Sequence, residues 1–323
     1  MIKPKVFITG GAGFIGCNLT QYFLKKNFSV TAYDNLSNGK EANVQEYLNL
    51  KDFYFIKGDI KDFSCLESSI SGHDLVIHLA SNADIAAAVK NPTIDFDDGV
   101  LLTSNVLEAM RINKIDKLIF TSGSGVYGEV PDYPVKETFT PLKPVSTYGA
   151  QKLASENFIS AYSFMFDMKC IAFRFANVVG PKQTHGVTHD FILRLTDNSD
   201  ILEILGDGTQ TKPFVHIETI CSAIETVLPM LDKQTFFENF NVGAKDHITV
   251  TKIADLICSE MKLTDVEYIY SGGKRGWKAD VPKYTLDTTK LESLGWVNNI
   301  TSKEAVQKTI RSMLSDVKKG LYA

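Results

Sequence analysis

The stretch from residue 6 to residue 34 leaves this 323-residue chain few folds to choose from. Val6-Phe7-Ile8-Thr9 is apolar without polar alternation, the pattern of a parallel strand buried on both faces. It runs into Gly10-Gly11-Ala12-Gly13-Phe14-Ile15-Gly16, after which residues 17–26 read as a helix. Glycines at 10, 13 and 16 permit a tight turn, close approach of backbone amides to a pyrophosphate, and close helix packing. The helix N-terminus adds partial positive charge. A second strand over residues 29–33 ends in Asp34, whose carboxylate can accept hydrogen bonds from an adenosine ribose and would repel a 2'-phosphate. The acidic residue points to NAD rather than NADP.

Strands and helices keep alternating. Phe53 to Lys57 is strand-like, and Asp59 in the following Gly58-Asp59-Ile60 is placed to face an adenine. Residues 74–80 form another buried strand; its exit, Ala80-Ser81-Asn82-Ala83, is small and polar, which suits backbone passing close to a cofactor. His78 lies inside that apolar run and reads as a satisfied core histidine. Residues 101–111 have helical periodicity, and residues 117–122 form a fifth strand. The alternation predicts an α/β fold with a doubly wound parallel sheet, its ligands held beyond the carboxyl ends of the strands.

Tyr-x-x-x-Lys occurs four times, as Tyr22 with Lys26, Tyr47 with Lys51, Tyr148 with Lys152 and Tyr270 with Lys274, so spacing alone selects nothing. Context does. Only Tyr148 follows a hydroxyl-rich strand end, Thr121-Ser122-Gly123-Ser124, and it begins an amphipathic helix towards Phe166 that Ser146 or Thr147 can cap. On that helix Tyr148 and Lys152 share a face, where an ammonium beside a phenol favours the phenolate.

Together these residues resemble the extended short-chain dehydrogenase/reductase family, and within it the NAD-dependent nucleotide-sugar epimerases and dehydratases of the UDP-glucose 4-epimerase type. The likeness rests on Gly10 to Gly16, Asp34, Asp59, the triplet Val126-Tyr127-Gly128 and Tyr148 with Lys152, and extends across nearly the whole chain. It implies a Rossmann domain that binds NAD over residues 1–177. A smaller α/β C-terminal lobe over 178–323 would bind a nucleotide sugar, with part of 214–245 returning to the first domain. The implied cofactor residues are Gly10, Gly13, Phe14, Ile15, Gly16, Asp34, Asn35, Asp59, Ile60, Leu79, Ala80, Ser81, Tyr148 and Lys152. The implied substrate is a UDP-hexose. Asn177, in Arg174-Phe175-Ala176-Asn177, would hold its diphosphate. Lys212 stands where relatives usually carry an arginine, offering charge without a planar fork. Arg275 and Asp280 would contact phosphate and ribose, and Tyr284 would lie near the hexose. Trp277 reads equally well as surface packing.

The resemblance also implies a mechanism. Tyr148 as phenolate takes the proton from a sugar hydroxyl, Lys152 holds the nicotinamide ribose and lowers the tyrosine pKa, and a transient keto-sugar turns to be reduced on its other face. The outcome is epimerisation, at C4, without net redox. Two positions depart from the family pattern. Gly123 stands where a serine or threonine usually assists the tyrosine, leaving Ser122 or Ser124 to replace it, and Gly99 stands where relatives commonly have an asparagine. Ser124 and Gly125 fill the places of the Asp-Glu pair of 4,6-dehydratases, and the glutamate of decarboxylating relatives is absent. Epimerisation therefore leads. Another NAD-dependent nucleotide-sugar conversion, by a dehydratase or reductase, and a non-catalytic NAD or sugar-nucleotide binding protein are the alternatives.

Composition bears on partners and compartment. A formal net charge of -4 and no lysine-arginine block argue against a nucleic-acid surface. Cys17, Cys65, Cys170, Cys221 and Cys258 are odd in number and lack metal-ligand spacing, so they read as small buried residues in a reducing compartment. Residues 1–5 run straight into a strand, leaving no room for a signal peptide, and no apolar run approaches membrane-spanning length. The expectation is a cytoplasmic protein without a membrane partner. His185 and His189 are four apart, but Gly186 intervenes and no third ligand is evident, so no metal is expected. The helices over 101–111 and 148–166 resemble those that pair relatives into homodimers through a four-helix bundle. Phe158, Phe164 and Met165 fit its outward face, although the sequence does not separate dimer from monomer.

Overall fold

The strands read from the sequence join in one sheet in the computed structural model, which describes residues 3–85, 87–233, 236–276 and 280–318. In chain order the first elements are β1 (Lys5–Thr9), α1 (Phe14–Lys25), β2 (Ser29–Asp34), β3 (Phe53–Lys57), α2 (Phe63–Ile70), β4 (Leu75–His78) and α3 (Ala87–Lys90). A π-helical turn, Phe96–Val100, leads into α4 (Leu101–Ile112), β5 (Lys117–Gly123), α5 (Thr147–Met165) and β6 (Lys169–Phe175). Then come β7 (Asn177–Val179), α6 (Val187–Asp197), β8 (Ile201–Ile204), β9 (Thr211–Lys212), β10 (Phe214–His216), α7 (Ile217–Val227) and β11 (Glu238–Val242). The chain closes with β12 (Ile248–Thr249), α8 (Val250–Met261), β13 (Glu267–Tyr270), α9 (Thr289–Glu292) and α10 (Ser302–Lys318).

The main sheet has seven strands in the order β11-β6-β5-β4-β1-β2-β3. β1 pairs in parallel with both β2 and β4, so the strand order reverses there and opens a crevice at the carboxyl edge. The absence of polar alternation in β1 is explained by burial on both faces: Val6, Phe7 and Ile8 are fully buried. Leu66 and Ile70 of α2 pack with Val106, Leu107 and Met110 of α4 in one core with Val76, Leu118 and Ala172 of the sheet. Truncating a fully buried leucine of this kind, Leu107→Ala for instance, typically costs about 2–5 kcal/mol.

The chain forms two units. One comprises the residues up to Gly128, Thr140–Phe175 and Ala223–Phe240; the other comprises Glu129–Phe139, Ala176–Ser222 and the chain from Asn241 onward. The chain leaves the first unit again between Phe175 and Ala176, which puts Asn177 in the second unit, and it returns for Ala223–Phe240. Glu129–Phe139 crosses as well, for a local reason: Val135 bridges to Leu286, and its carbonyl accepts a 2.9 Å hydrogen bond from Asn241 Nδ2. The second unit has its own core, which includes Phe191 and Ile192 of α6, Ile253 and Ile257 of α8 and Val306 and Ile310 of α10. Among the described residues no helix is long and apolar enough to cross a membrane.

Candidate active site

The glycine turn after β1 is built by close backbone approach. Gly10 has φ +67°, the left-handed region that favours glycine, and a Cβ there would lie 3.0 Å from Ala80 N at the exit of β4. A Cβ on Gly16 would fall 2.2 Å from Gly10 O, so α1 sits against the turn as no larger residue allows. No side chain caps α1 at Gly13, which leaves the first-turn amides around Phe14 and Ile15 for an anion. The helix begins three residues earlier than its periodicity suggested, because its opening turn is part of the glycine segment.

Asp34, 7% exposed, accepts from Ala12 N at 3.0 Å and from Leu36 N at 2.8 Å. Burial nevertheless raises its carboxyl above the ordinary range against those amide bonds. Asn35 Nδ2 donates to Asp59 Oδ2 at 3.1 Å, and Asn105 Nδ2 to Ile60 O at 3.0 Å, so the ends of β2 and β3 are tied beside the turn. A cradle that a Cβ would fill, uncapped helix amides and a buried carboxylate next to them fit a dinucleotide without a 2'-phosphate.

Of the two candidate caps of α5, Ser146 does the capping, its Oγ accepting from Gly149 N at 3.0 Å. Thr147 turns instead to Asp95, donating to Oδ2 at 2.6 Å, while Asn82 Nδ2 donates to Oδ1 at 2.9 Å. Lys152 is buried, with Nζ 2.9 Å from Thr121 O as donor and 5.6 Å from the centre of the Tyr148 ring. Burial lowers the Lys152 ammonium to about 8, with Asp95 and Glu156 opposing. The Tyr148 ring keeps some solvent exposure, yet the protein packed around its phenol raises it to about 12, and Asp95 adds to the rise. Without a bound cofactor the net direction is thus upward, set by burial and Asp95, while the Lys152 ammonium hydrogen-bonds a carbonyl.

Ser122 is engaged elsewhere. It is buried, and its Oγ donates to Glu156 Oε1 at 2.5 Å within a network in which Arg174 Nη2 reaches Glu156 Oε2 at 2.6 Å and Nη1 reaches the Tyr127 hydroxyl at 3.0 Å. Its hydroxyl is committed to holding β5, α5 and β6 together. Ser124, opening the 3-10 turn Ser124–Val126, is only partly buried, and its hydroxyl bonds to none of the described residues. Gly123 is extended (φ -157°, ψ 165°), and a Cβ there would meet nothing within 4 Å. His78 is satisfied at both ring nitrogens, by Thr9 at 2.7 Å and Thr103 at 3.2 Å, and burial lowers it to about 3, so it is neutral.

The expected substrate residues lie in the second unit and form two groups. Tyr284, buried, donates to Asn177 Oδ1 at 3.1 Å. Lys212 forms an ion pair with the buried Asp280 carboxylate, and Arg275 Nη1 donates to Asp280 O at 3.1 Å while Nη2 pairs with Glu129. Trp277 lies outside the described residues. The rival pairs are explained locally: Tyr22 and Lys26 both bond Glu225, Tyr47 packs against Phe53, and Tyr270 ends β13 rather than sitting in a loop. No group of three His, Cys, Asp or Glu side chains among the described residues is placed to hold a metal ion.

Sequence reasoning passed over Asp95, Gln151 and Glu156. Glu156 had a signal, one helical turn beyond Lys152 on the same face. Asp95 had none, since only the fold buries it while Asp97 and Asp98 stay partly exposed.

Comparison with known proteins agrees with this geometry. Residues 6–243 match the model of the NAD dependent epimerase/dehydratase family. A relative named putative UDP-glucose 4-epimerase, from Methanocaldococcus jannaschii, is 34% identical over 95% of this chain and 98% of its own. The crystal structure of Thermotoga maritima UDP-glucose 4-epimerase with UDP-glucose superposes with a TM-score of 0.86 at 30% identity, covering 97% of this chain and 99% of that one. That of the Thermus thermophilus UDP-glucose 4-epimerase complex with NAD gives 0.84 at 28% identity, covering 96% and 99%. With the glycine cradle, Asp34 and the Tyr148–Lys152 pair on one sheet edge, the chain belongs to the NAD dependent epimerase/dehydratase family.

Proposed function

We propose that this enzyme inverts C4 of a UDP-linked hexose. The observation that carries the reading is the Tyr148–Lys152 pair on α5, its lysine buried and bonded to Thr121 O of β5, in a chain 30% identical to an epimerase crystallised with UDP-glucose. Tyr148 Oη, ionised against the burial that raises it, takes the proton of the C4 hydroxyl and returns it after the sugar has turned. Ser124 Oγ hydrogen-bonds the same oxygen. Lys152 holds the nicotinamide ribose and keeps positive charge near the phenol. Bound NAD, held by Gly10 to Gly16, Asp34, Asn35, Asp59, Ile60 and Leu79 to Ser81, supplies the acceptor and later the donor of the carbon-bound hydrogen. Asn177, Lys212, Arg275, Asp280 and Tyr284 hold the sugar nucleotide. Elimination is disfavoured because Ser124 and Gly125 offer no acid and base for a neighbouring carbon. The five thiols, none in a disulfide, suit the cytoplasm, and the outer faces of α4 and α5 suit a homodimer.

The test is incubation with UDP-glucose and UDP-galactose and their N-acetyl counterparts, with separation of the products. One pair should interconvert, and Tyr148→Phe should lower turnover by at least a hundredfold while NAD stays bound. Absence of any epimer despite bound NAD, or full turnover in the variant, would overturn the reading.

A further inference from the structure

The exit of β5, from Thr121 to Tyr127, is gripped by side chains at more points than strand pairing requires. Lys152 Nζ donates to Thr121 O at 2.9 Å, and Glu156 Oε1 accepts from Ser122 Oγ at 2.5 Å. A Cβ on Gly149, the residue after Tyr148, would fall 2.4 Å from Gly125 O. A Cβ on Gly125 would lie 3.4 Å from Gly149 Cα and 3.9 Å from Tyr148 Cδ1. The turn Ser124–Val126 therefore rests directly on the opening of α5, at the tyrosine itself. Tyr127 closes the turn, its amide donating to Ser124 O at 3.1 Å.

Tyr127 is also where the turn meets a buried ion pair. Arg174 of β6 stands opposite Ser122 in the β5–β6 register. Its Nε and Nη2 meet the Glu156 carboxylate as a fork, 3.0 Å to Oε1 and 2.6 Å to Oε2, while Nη1 donates to the Tyr127 hydroxyl at 3.0 Å. The guanidinium carbon lies 4.9 Å from the centre of the Tyr127 ring. All four side chains, Ser122, Tyr127, Glu156 and Arg174, are buried. Two charges taken out of water gain little net stability over an apolar filling of the same volume, because desolvation offsets their attraction. The planar fork does fix direction. Glu156, one turn beyond Lys152 on α5, thereby holds Ser122 directly and Tyr127 through Arg174, and Ser124 lies between those two anchored residues.

We propose that Tyr127 is a positioning residue for the Ser124 hydroxyl: clamped by Arg174 and Glu156, it keeps the Ser124–Val126 turn seated on the start of α5, at a fixed separation from Tyr148. The inference rests on Ser124 as the hydroxyl that assists Tyr148, and adds the group that places it.

Tyr127→Phe removes the hydroxyl and keeps both the ring beside the guanidinium and the Glu156–Arg174 pair. Steady-state kinetics should show kcat lowered about 10- to 100-fold, the scale of a misplaced catalytic group. KM and the Kd for NAD should stay within about twofold of the natural protein, since ground-state binding does not use the turn. Added to Ser124→Ala, where no hydroxyl is left to place, the same change should cost less than about twofold. Each rate is normalised to folded, NAD-loaded protein, which excludes a loss of folding as the cause. An unchanged kcat in Tyr127→Phe, or an equal loss with and without the Ser124 hydroxyl, would overturn the proposal. A Ser124→Ala protein of full kcat would instead refute the role of Ser124 beneath it.

Discussion

Lys152 carries an ammonium into a position with 4% exposure, and its pKa of about 8 against the ordinary 10.5 measures what that costs. The folded-state value is below the unfolded one, so the unfolded chain binds more protons between the two values and the penalty is full below pH 8. Lys152→Met, though inactive, should therefore be more stable than the natural protein at pH 7 when both lack nucleotide. The gain should be about 2 kcal/mol, the removed desolvation less the lost hydrogen bond to Thr121 O. Urea unfolding across pH 7 to 10.5 checks it: the advantage should shrink as pH rises, and a constant difference would contradict the buried-charge account. The pairing of Tyr148 with Lys152 was legible because helical period alone puts residues four apart on one face. The direction of the tyrosine shift was not, because it depends on atoms brought by Asp95 and the surrounding fold.

At the scale of elements, the exit of β5 decides which hydroxyl serves the tyrosine. Ser122 points into the Glu156–Arg174 network, whereas β5 ends at Gly123 and Ser124 opens the turn beyond it, so the strand end gives the two serines different surroundings. Ser124→Ala should lower kcat about 100- to 1000-fold, the range for one group stabilising a developing charge. Gly123→Thr added to that variant should recover much of the loss. Extended φ and ψ suit a β-branched residue, and the open space means stability should move by no more than about 0.5 kcal/mol. Steady-state kinetics with a well-folded double variant that recovers nothing would show that the tyrosine is assisted from elsewhere. The sequence could place the glycine and both serines at this strand end. It could not say which serine was already engaged, since Glu156 and Arg174 come from other elements. Likewise β7, β9, β10 and β12, at two or three residues each, are too short to leave a periodic trace.

For the whole molecule, the seams between the two units were not legible in the sequence. Glu129–Phe139 joins the second unit through a bridge to Leu286 and bonds to Asn241, pairings more than a hundred residues apart that no local pattern records. The outer surface of the first unit bears on assembly in a comparable way. α4 packs on α5, and α5 presents Phe158 at 44% and Met165 at 67% exposure, seven residues apart on one face, with exposed Ala161 between them. Leu101 and Ile112 of α4, three turns apart, are exposed as well. Phe164 is excluded from the simplest version of this face, because its ring stacks on Phe236 at 5.8 Å. An apolar stripe along two neighbouring helices has the form of half a four-helix bundle, which a second copy of the same pair would complete. Sedimentation at micromolar concentration should give twice the chain mass, and Phe158→Glu with Met165→Glu should shift it to the single chain by burying carboxylates in an apolar seam. A natural protein that sediments as one chain would leave those side chains as ordinary surface, and an unaffected dimer in the double variant would place the interface on another face.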